Sequence, residues 1–314
     1  MPQVGLPSEL SFLIPILNSI FWIERSKQVS TLAIQTNAPW NLVRISEHML
    51  RVPSIYRYLA DGRGVDAYII DSGIQSSNVD FKGHATTIAD FTNSGLTDAY
   101  GHGTHVAGIV GSQTYGVAKS VNLLGVRVIN SSGTSDWATV VAALSWVYNR
   151  VKMTKRPSVI NMSLGGPISV ALNAAISDLE ALNVAVVAAA GNSRSDACMY
   201  SPSSSTSAIV VAASDYNNAW FAMSNFGSCV DMIAPGSYIT STFIGSNRSV
   251  AAMTGTSMAA PHVTGVVALL LSMNPTLTVS QLKLILTITC TNGIVSGIPI
   301  GRTPNRFLYS LATF

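Results

Sequence analysis

The chain is poor in charge. Lysine, arginine, aspartate and glutamate make up only 11% of its 314 residues, and the formal net charge is +3. Nucleic acids and acidic membranes need a concentrated basic surface, so this balance does not indicate either as a partner. Histidine is scarce as well, with 5 residues, and none has a metal-ligand spacing such as H-E-x-x-H. We therefore expect no nucleic-acid ligand and no catalytic cofactor.

Cysteines and long apolar runs are also few. Of the 3 cysteines, Cys198 and Cys229 are near enough in sequence for one bridge, which leaves Cys290 over. We expect no apolar stretch of the roughly 18 residues that a membrane-spanning helix needs, and therefore no stable membrane insertion. Apolar residues are nevertheless abundant, at 48% of the chain, which is enough for the core of one large domain.

From Ala33 onward, short apolar runs alternate with helix-like segments. This alternation is typical of a parallel sheet that helices cover on both faces. The runs are continuous because a sheet buried on both sides has no polar face. We predict a three-layer, doubly wound, mainly parallel α/β domain over 33–314. The predicted strands are 65–70, 123–128, 159–162, 184–190 and 208–213, and the predicted helices are 105–111, 135–148, 170–182, 257–273 and 279–286.

The stretch Gly255–His262 delivers a hydroxyl to the start of a buried helix. Gly255 allows the backbone to turn without a Cβ penalty. Ser257 lies beside helix-start N–H groups, whose partial positive charge favours a developing negative charge. A lone serine before an apolar run is more often an ordinary helix N-cap. It becomes a nucleophile only with a base and a residue that orients the base.

Two upstream stretches supply a carboxylate and an imidazole. Asp71 ends an apolar strand, and open α/β sheets place their sites at that end, although a single Asp-Ser-Gly is more often an Asx-turn. His102 lies between Gly101 and Gly103 at the mouth of a helix. Flanking glycines suit an imidazole that another group must approach closely, whereas His105 is predicted to be a core histidine.

Asp71, His102 and Ser257 follow the chain order Asp-His-Ser, which is the order of subtilisins and not of chymotrypsin or the α/β-hydrolases. The serine stands in Gly-Thr-Ser-Met-Ala and not in a Gly-x-Ser-x-Gly elbow, which weakens a lipase or esterase interpretation. On these three motifs the chain resembles the subtilisin family of serine proteases, and within it the proteinase K-like branch. The resemblance covers about 35–309, and it includes the stretches Asn37–Trp40 and Gly111–Lys119.

The resemblance implies a role for each reactive group. Ser257 would attack the scissile carbonyl, His102 would take its proton and return it to the leaving amine, and Asp71 would hold the imidazole tautomer. Asn192 is similar to the family's oxyanion asparagine, although Gly-Asn after a strand is also an ordinary turn. These roles predict a serine endopeptidase that works through an acyl-enzyme intermediate.

The resemblance also implies where substrate binds. Two stretches of small residues are similar to the walls of the family's pocket for the side chain before the cut bond. They predict a wide, uncharged slot that prefers apolar and aromatic side chains. A third stretch, Ser132–Ser135, resembles the family's exposed edge strand, which pairs with extended peptides of any sequence and so gives broad specificity. The residues carried over are Ser163, Leu164, Gly165, Ala189 and Gly191 for the walls, and Gly133 and Ser135 for the edge strand.

Two further implications concern stability. Thermophilic members of the family carry a disulfide at places corresponding to Cys198 and Cys229, and such a bridge adds roughly 3–4 kcal/mol. In a reducing compartment the same pair would be two thiols. Asp231 matches the carboxylate of the branch's main calcium site, whose further ligands are carbonyls that map to Thr206 and Ala208. The resemblance therefore implies a structural calcium ion.

Residues 1–32 differ in character from the rest. Leu10–Ile23 is as apolar as a signal-peptide core, but no lysine or arginine precedes it and no small-residue cleavage motif closes it. We interpret 1–32 as a truncated, propeptide-like segment with a last strand at Ile20–Glu24, which Ser257 cuts off after Leu32. An unprocessed, poorly ordered leader is the alternative. The family resemblance favours a monomer that is secreted or vacuolar, with protein substrates and its own propeptide as partners.

Two other functions stay open beside the endopeptidase. A catalytically inactive binding protein would use the same fold, but the four chemical positions are intact. An esterase-like hydrolase would share the mechanism and differ in substrate. Subtilisins also cleave activated esters, so only cleavage of an unlabelled protein would separate the two enzymes.

Overall fold

A nine-stranded sheet organises the described part of the chain, which in this computed structural model comprises residues 33–49, 54–299 and 303–310. The predicted segment 1–32 and its cleavage point lie outside these residues. The strands are β1 (Ala33–Thr36), β2 (Ile55–Tyr58), β3 (Asp66–Asp71), β4 (Ala85–Asp90), β5 (Asn122–Arg127), β6 (Ser158–Met162), β7 (Gly166–Pro167), β8 (Ala185–Ala189), β9 (Tyr200–Ser201), β10 (Ala208–Ser214), β11 (Met232–Pro235), β12 (Ile239–Thr242), β13 (Val250–Met253), β14 (Thr291–Asn292) and β15 (Arg306–Phe307). The helices are α1 (Trp40–Ile45), α2 (His102–Gly111), α3 (Trp137–Thr154), α4 (Val170–Ala181), α5 (Thr256–Met273) and α6 (Val279–Thr289).

The sheet is parallel except at one edge. Its strand order is β14-β15-β11-β10-β8-β6-β3-β5-β4, and only the edge pair of β14 and β15 is antiparallel. Strands β3, β6, β8 and β10 are buried along their whole length, as a sheet covered on both faces requires. Helices α2 and α5 pack on each other and on the sheet, and α3 packs on α4. The predicted three-layer α/β architecture is confirmed.

The predicted elements match the observed ones closely. Each of the five predicted strands agrees within one residue at either end. Three helices extend three or more residues beyond the predicted ranges, and one of them is α6, which ends at Thr289. Helix α2 begins at His102 because Gly101 adopts a φ of +95° immediately before it, and α3 continues to Thr154, where Lys155 adopts a left-handed conformation and closes the last turn on the Val151 carbonyl.

One expectation about apolar runs is wrong. Helix α5 has 18 residues and a mean hydropathy of 1.4, so among the described residues one helix is long and apolar enough to cross a membrane. However, 83% of that helix is buried within the fold. It lies against β6, β8, β10 and α2, so its apolar character is explained by packing in the core.

Candidate active site

Asp71 and His102 meet at the carboxyl end of the parallel strands. Asp71 is the last residue of β3 and is fully buried, and its two carboxylate oxygens each lie 2.9 Å from Nδ1 of His102. One of these oxygens also accepts the N–H of Ser72 at 2.8 Å. Gly103 permits the close approach, because a Cβ there would overlap the carbonyl oxygen of Gly73 and lie 3.1 Å from the Asp71 Cβ.

The charge of Asp71 sets the protonation of His102. Burial alone lowers the pKa of His102, but the Asp71 charge, its hydrogen bond to the ring and the more distant charge of Asp98 outweigh burial, so the pKa is raised above 6.5. The hydrogen bond at Nδ1 directs Nε2 to act as the base. His105 makes no such pair. It is fully buried, its Nε2 donates to backbone carbonyls, and it is the core histidine that was predicted.

Ser257 lies in the first turn of α5, where Gly255 precedes the helix. Pro261 has no N–H and therefore leaves the Ser257 carbonyl without its helical donor. The hydroxyl of Ser163 donates to that carbonyl at 2.8 Å, and the Ser257 hydroxyl donates to the carbonyl of Ser163 at 3.2 Å. Among the described residues this is the only hydrogen bond that the Ser257 hydroxyl makes.

Asn192 follows β8 and is tied to the start of α5. Its side-chain oxygen accepts the N–H of Thr256 at 2.9 Å and the Thr256 hydroxyl at 3.1 Å. These bonds leave the amide nitrogen, Nδ2, as the free donor beside Gly255. The N–H of Gly191 donates to the same Thr256 hydroxyl at 3.1 Å. The carboxamide is therefore held in one orientation relative to Ser257.

A pocket of about 280 Å³ opens beside Ser257 and Asn192. All five predicted wall residues line it, namely Ser163, Leu164, Gly165, Ala189 and Gly191. The sequence interpretation missed Asn225, whose amide donates to the Ala190 carbonyl at 2.9 Å and whose oxygen accepts the N–H of Ser193. It also missed Tyr200 and Ser203. These residues are distant in sequence from the catalytic motifs, and the short motif Ser-Asn-Phe-Gly was the only signal for Asn225.

The edge strand expected at Ser132–Ser135 stays a prediction, because the partner that it would pair with is a bound peptide. Among the described residues, 131–136 are not part of any strand. Asn130 holds this stretch in a turn. Its side-chain oxygen accepts the N–H groups of Ser132 and Thr134, and its backbone N–H donates to the Thr134 carbonyl. Gly133 has a φ of +77° in that turn.

The cysteines pair as the resemblance implied. Cys198 and Cys229 form a disulfide with a Cα–Cα distance of 5.4 Å. Cys290 is a free, buried thiol whose Sγ donates to the Thr287 carbonyl at 3.0 Å. The bridge ties the short helix at Ala197–Met199 to the loop before β11.

The expected calcium ligands do not form an open oxygen site. The Thr206 carbonyl accepts the ammonium group of Lys283 at 2.7 Å, and Asp231 Oδ2 accepts the N–H of Val210 at 2.8 Å. Burial raises the pKa of the Asp231 carboxyl, against the lowering effect of that N–H and of nearby positive charge. No group of three or more His, Cys, Asp or Glu side chains within the described ranges is placed to hold a metal ion. The assignment of calcium to Thr206, Ala208 and Asp231 therefore does not fit the side chains present.

Comparison with known proteins gives a consistent result. The family model of the subtilases (peptidase S8) matches residues 62–301. The extracellular serine proteinase of Thermus sp. (strain Rt41A) is 43% identical over 93% of this chain and 70% of its own length. Proteinase R of Parengyodontium album is 39% identical over 92% of this chain and 74% of its own length. Alkaline serine exoprotease A of Vibrio alginolyticus is 42% identical over 90% of this chain. The match covers 52% of the length of that relative.

A solved structure is similar as well. The crystal structure of a cold adapted subtilisin-like serine proteinase superposes with a TM-score of 0.83 at 41% sequence identity. The match covers 88% of this chain and 100% of that one. The residues that the family model matches include the strands and helices that carry Asp71, His102 and Ser257.

Proposed function

The chain belongs to the subtilase family of serine peptidases, and we propose that it cuts proteins internally, with Ser257 as nucleophile, His102 as base and Asp71 as the residue that orients the base. The observation that carries the proposal is the pair of 2.9 Å contacts between the buried Asp71 carboxylate and Nδ1 of His102. A buried carboxylate in this position stabilises the imidazolium that forms when the base takes a proton.

The first chemical step begins with a rotation of the Ser257 hydroxyl. It leaves the carbonyl of Ser163, transfers its proton to Nε2 of His102 and attacks the scissile carbonyl. The negative charge that develops on the substrate oxygen meets Nδ2 of Asn192 and the N–H groups at the start of α5. His102 then returns the proton to the leaving amine, which gives the acyl-enzyme. Water hydrolyses this ester by the same steps in reverse order.

The pocket beside Ser257 supports a preference for apolar and aromatic side chains before the cut bond. Small residues and Tyr200 line it, and among the described residues no charged side chain does. A lysine or arginine side chain would lose its hydration there without gaining a counter-charge. A volume of about 280 Å³ accommodates a large side chain.

We propose further that the protein is exported and processed as a zymogen. The Thermus relative is described as extracellular, and a disulfide persists in an oxidising compartment and not in the cytosol. Residues 1–32 would serve as an inhibitory segment that Ser257 removes after Leu32, and 33–314 would form the peptidase as a monomer.

The test is hydrolysis of unlabelled casein by the full chain, by Ser257→Ala and by the control Ser272→Ala. Ser272 lies near the far end of α5, and its hydroxyl donates to the Leu269 carbonyl. We expect casein fragments from the first and third proteins and none from the second. Intact masses of the same preparations test processing, and we expect loss of residues 1–32 only where Ser257 is present. Cleavage of an activated ester with casein left intact would instead support the esterase.

A further inference from the structure

The position expected to bind calcium contains a positive charge of the chain itself. Lys283 lies in α6, and its Nζ donates to the carbonyl of Thr206 at 2.7 Å, across 77 residues of sequence. The positive charges of Lys283 and of Arg306 in β15 both act on the carboxyl of Asp231. A charged donor therefore binds one of the two carbonyls that the metal would need, and its charge also acts on the nearby carboxylate.

The register of α6 places this lysine. The helix starts with a capping box, in which Thr278 and Gln281 each bind the other's backbone N–H, and such a start fixes the first turn. Leu282 and Leu286 are buried on the inner side of the helix. Lys283 follows the buried Leu282 and is half-buried itself. Its apolar stem packs along the protein surface, and its ammonium group reaches the turn before β10.

Calcium and this ammonium group exclude each other. Calcium takes six to eight oxygen ligands at about 2.3–2.6 Å, and the Thr206 carbonyl already points at Nζ. An ion on the same oxygen would lie no more than about 5 Å from the ammonium, where a divalent and a monovalent cation repel each other strongly. One carboxylate oxygen of Asp231 also accepts a hydrogen bond from the N–H of Val210.

We propose that the ammonium group of Lys283 replaces calcium in this protein. It acts as a permanent cation near Asp231 and ties α6 to the turn before β10. The fold is then stabilised at this place without a bound metal. The proposal does not depend on peptidase activity, because neither Lys283 nor Asp231 touches the catalytic groups or lines the pocket beside Ser257.

The test measures unfolding temperatures of the full chain in the inactive Ser257→Ala background, in chelator and in millimolar calcium. The variants are Lys283→Met, Asp231→Asn and both together, with Lys152→Met on α3 as a control that removes the same charge elsewhere. While Lys283 is present, we expect the effect of calcium on the unfolding temperature to be the same with Asp231 and with Asp231→Asn. Lys283→Met should lower the unfolding temperature in chelator by roughly 2–4 °C, more than Lys152→Met does. Calcium should restore part of that loss only when Asp231 is intact.

Two outcomes would overturn the proposal. One is a rise in the unfolding temperature with calcium that requires Asp231 while Lys283 is still in place, since this would identify an ordinary calcium site. The other is a Lys283→Met chain that is as stable in chelator as the Lys152→Met control. Calcium titration by calorimetry gives a second readout, in which we expect Asp231-dependent heat from the Lys283→Met chain alone.

Discussion

Removal of the disulfide should lower stability by an amount that follows from the loop it closes. The bridge joins cysteines 31 residues apart in sequence. In the chain-entropy account, a loop of this length removes about 12 cal/mol/K from the unfolded state, which corresponds to about 3.7 kcal/mol at 25 °C. A domain of this size gains about 0.6 kcal/mol/K of entropy when it unfolds. The expected fall in unfolding temperature for the double variant Cys198→Ser and Cys229→Ser is therefore about 6 °C.

The assay is a thermal melt in the Ser257→Ala background, which prevents self-digestion. A reductant should lower the melting temperature of the parent to that of the double variant, and it should leave the double variant unchanged. Cys290→Ser is the matched control, because this thiol is outside the bridge and a serine hydroxyl can also donate to the Thr287 carbonyl. Equal melting temperatures for parent and double variant under oxidising conditions would refute the entropy argument.

Asn192→Ala should reduce kcat by about 10²–10³, a loss taken from the corresponding donor in a subtilisin, with little change in KM; an effect on KM alone would remove Asn192 from the oxyanion role. The pKa of His102 is raised mainly by Asp71, so kcat/KM should rise with pH through a midpoint above 6.5. Asp71→Asn should lower both that midpoint and kcat/KM. Burial lowers the pKa of both His105 and His262 to about 4, so the neutral rings stabilise the fold above pH 6.5. That stability should be lost as pH falls from 6.5 to 4, and melts of His262→Gln over this range should show a weaker dependence on pH.

The proposed catalytic groups could be recognised because each depends on local sequence. Asp71 follows the run Ala67–Ile70, whose continuous apolar and aromatic composition is typical of a strand buried on both faces. The glycines beside His102 indicated a close approach, and the structure identifies the partners as the Asp71 side chain and the Gly73 carbonyl. The first turn of α2 was missed, because the φ of Gly101 is a property of the folded backbone.

What the sequence did not predict depends on side-chain contacts, within one turn or between residues that are distant in sequence. The turn around Gly133 was not predicted, because it depends on the Asn130 side chain, which accepts the N–H groups of Ser132 and Thr134. The carboxylate of Asp231 was correctly expected near the turn before β10. Lys283 could not be foreseen there, since it reaches the Thr206 carbonyl from another helix.

Covalent labelling of the active-site serine tests the central claim most directly. The full chain would be treated with a phosphonofluoridate, which reacts with activated serines, and the modified peptide would be identified by mass spectrometry. We predict one adduct per chain, on Ser257, with loss of casein hydrolysis in proportion to labelling, and no adduct when His102 is replaced by alanine. An adduct on another serine, or full activity in a chain labelled at Ser257, would contradict the account.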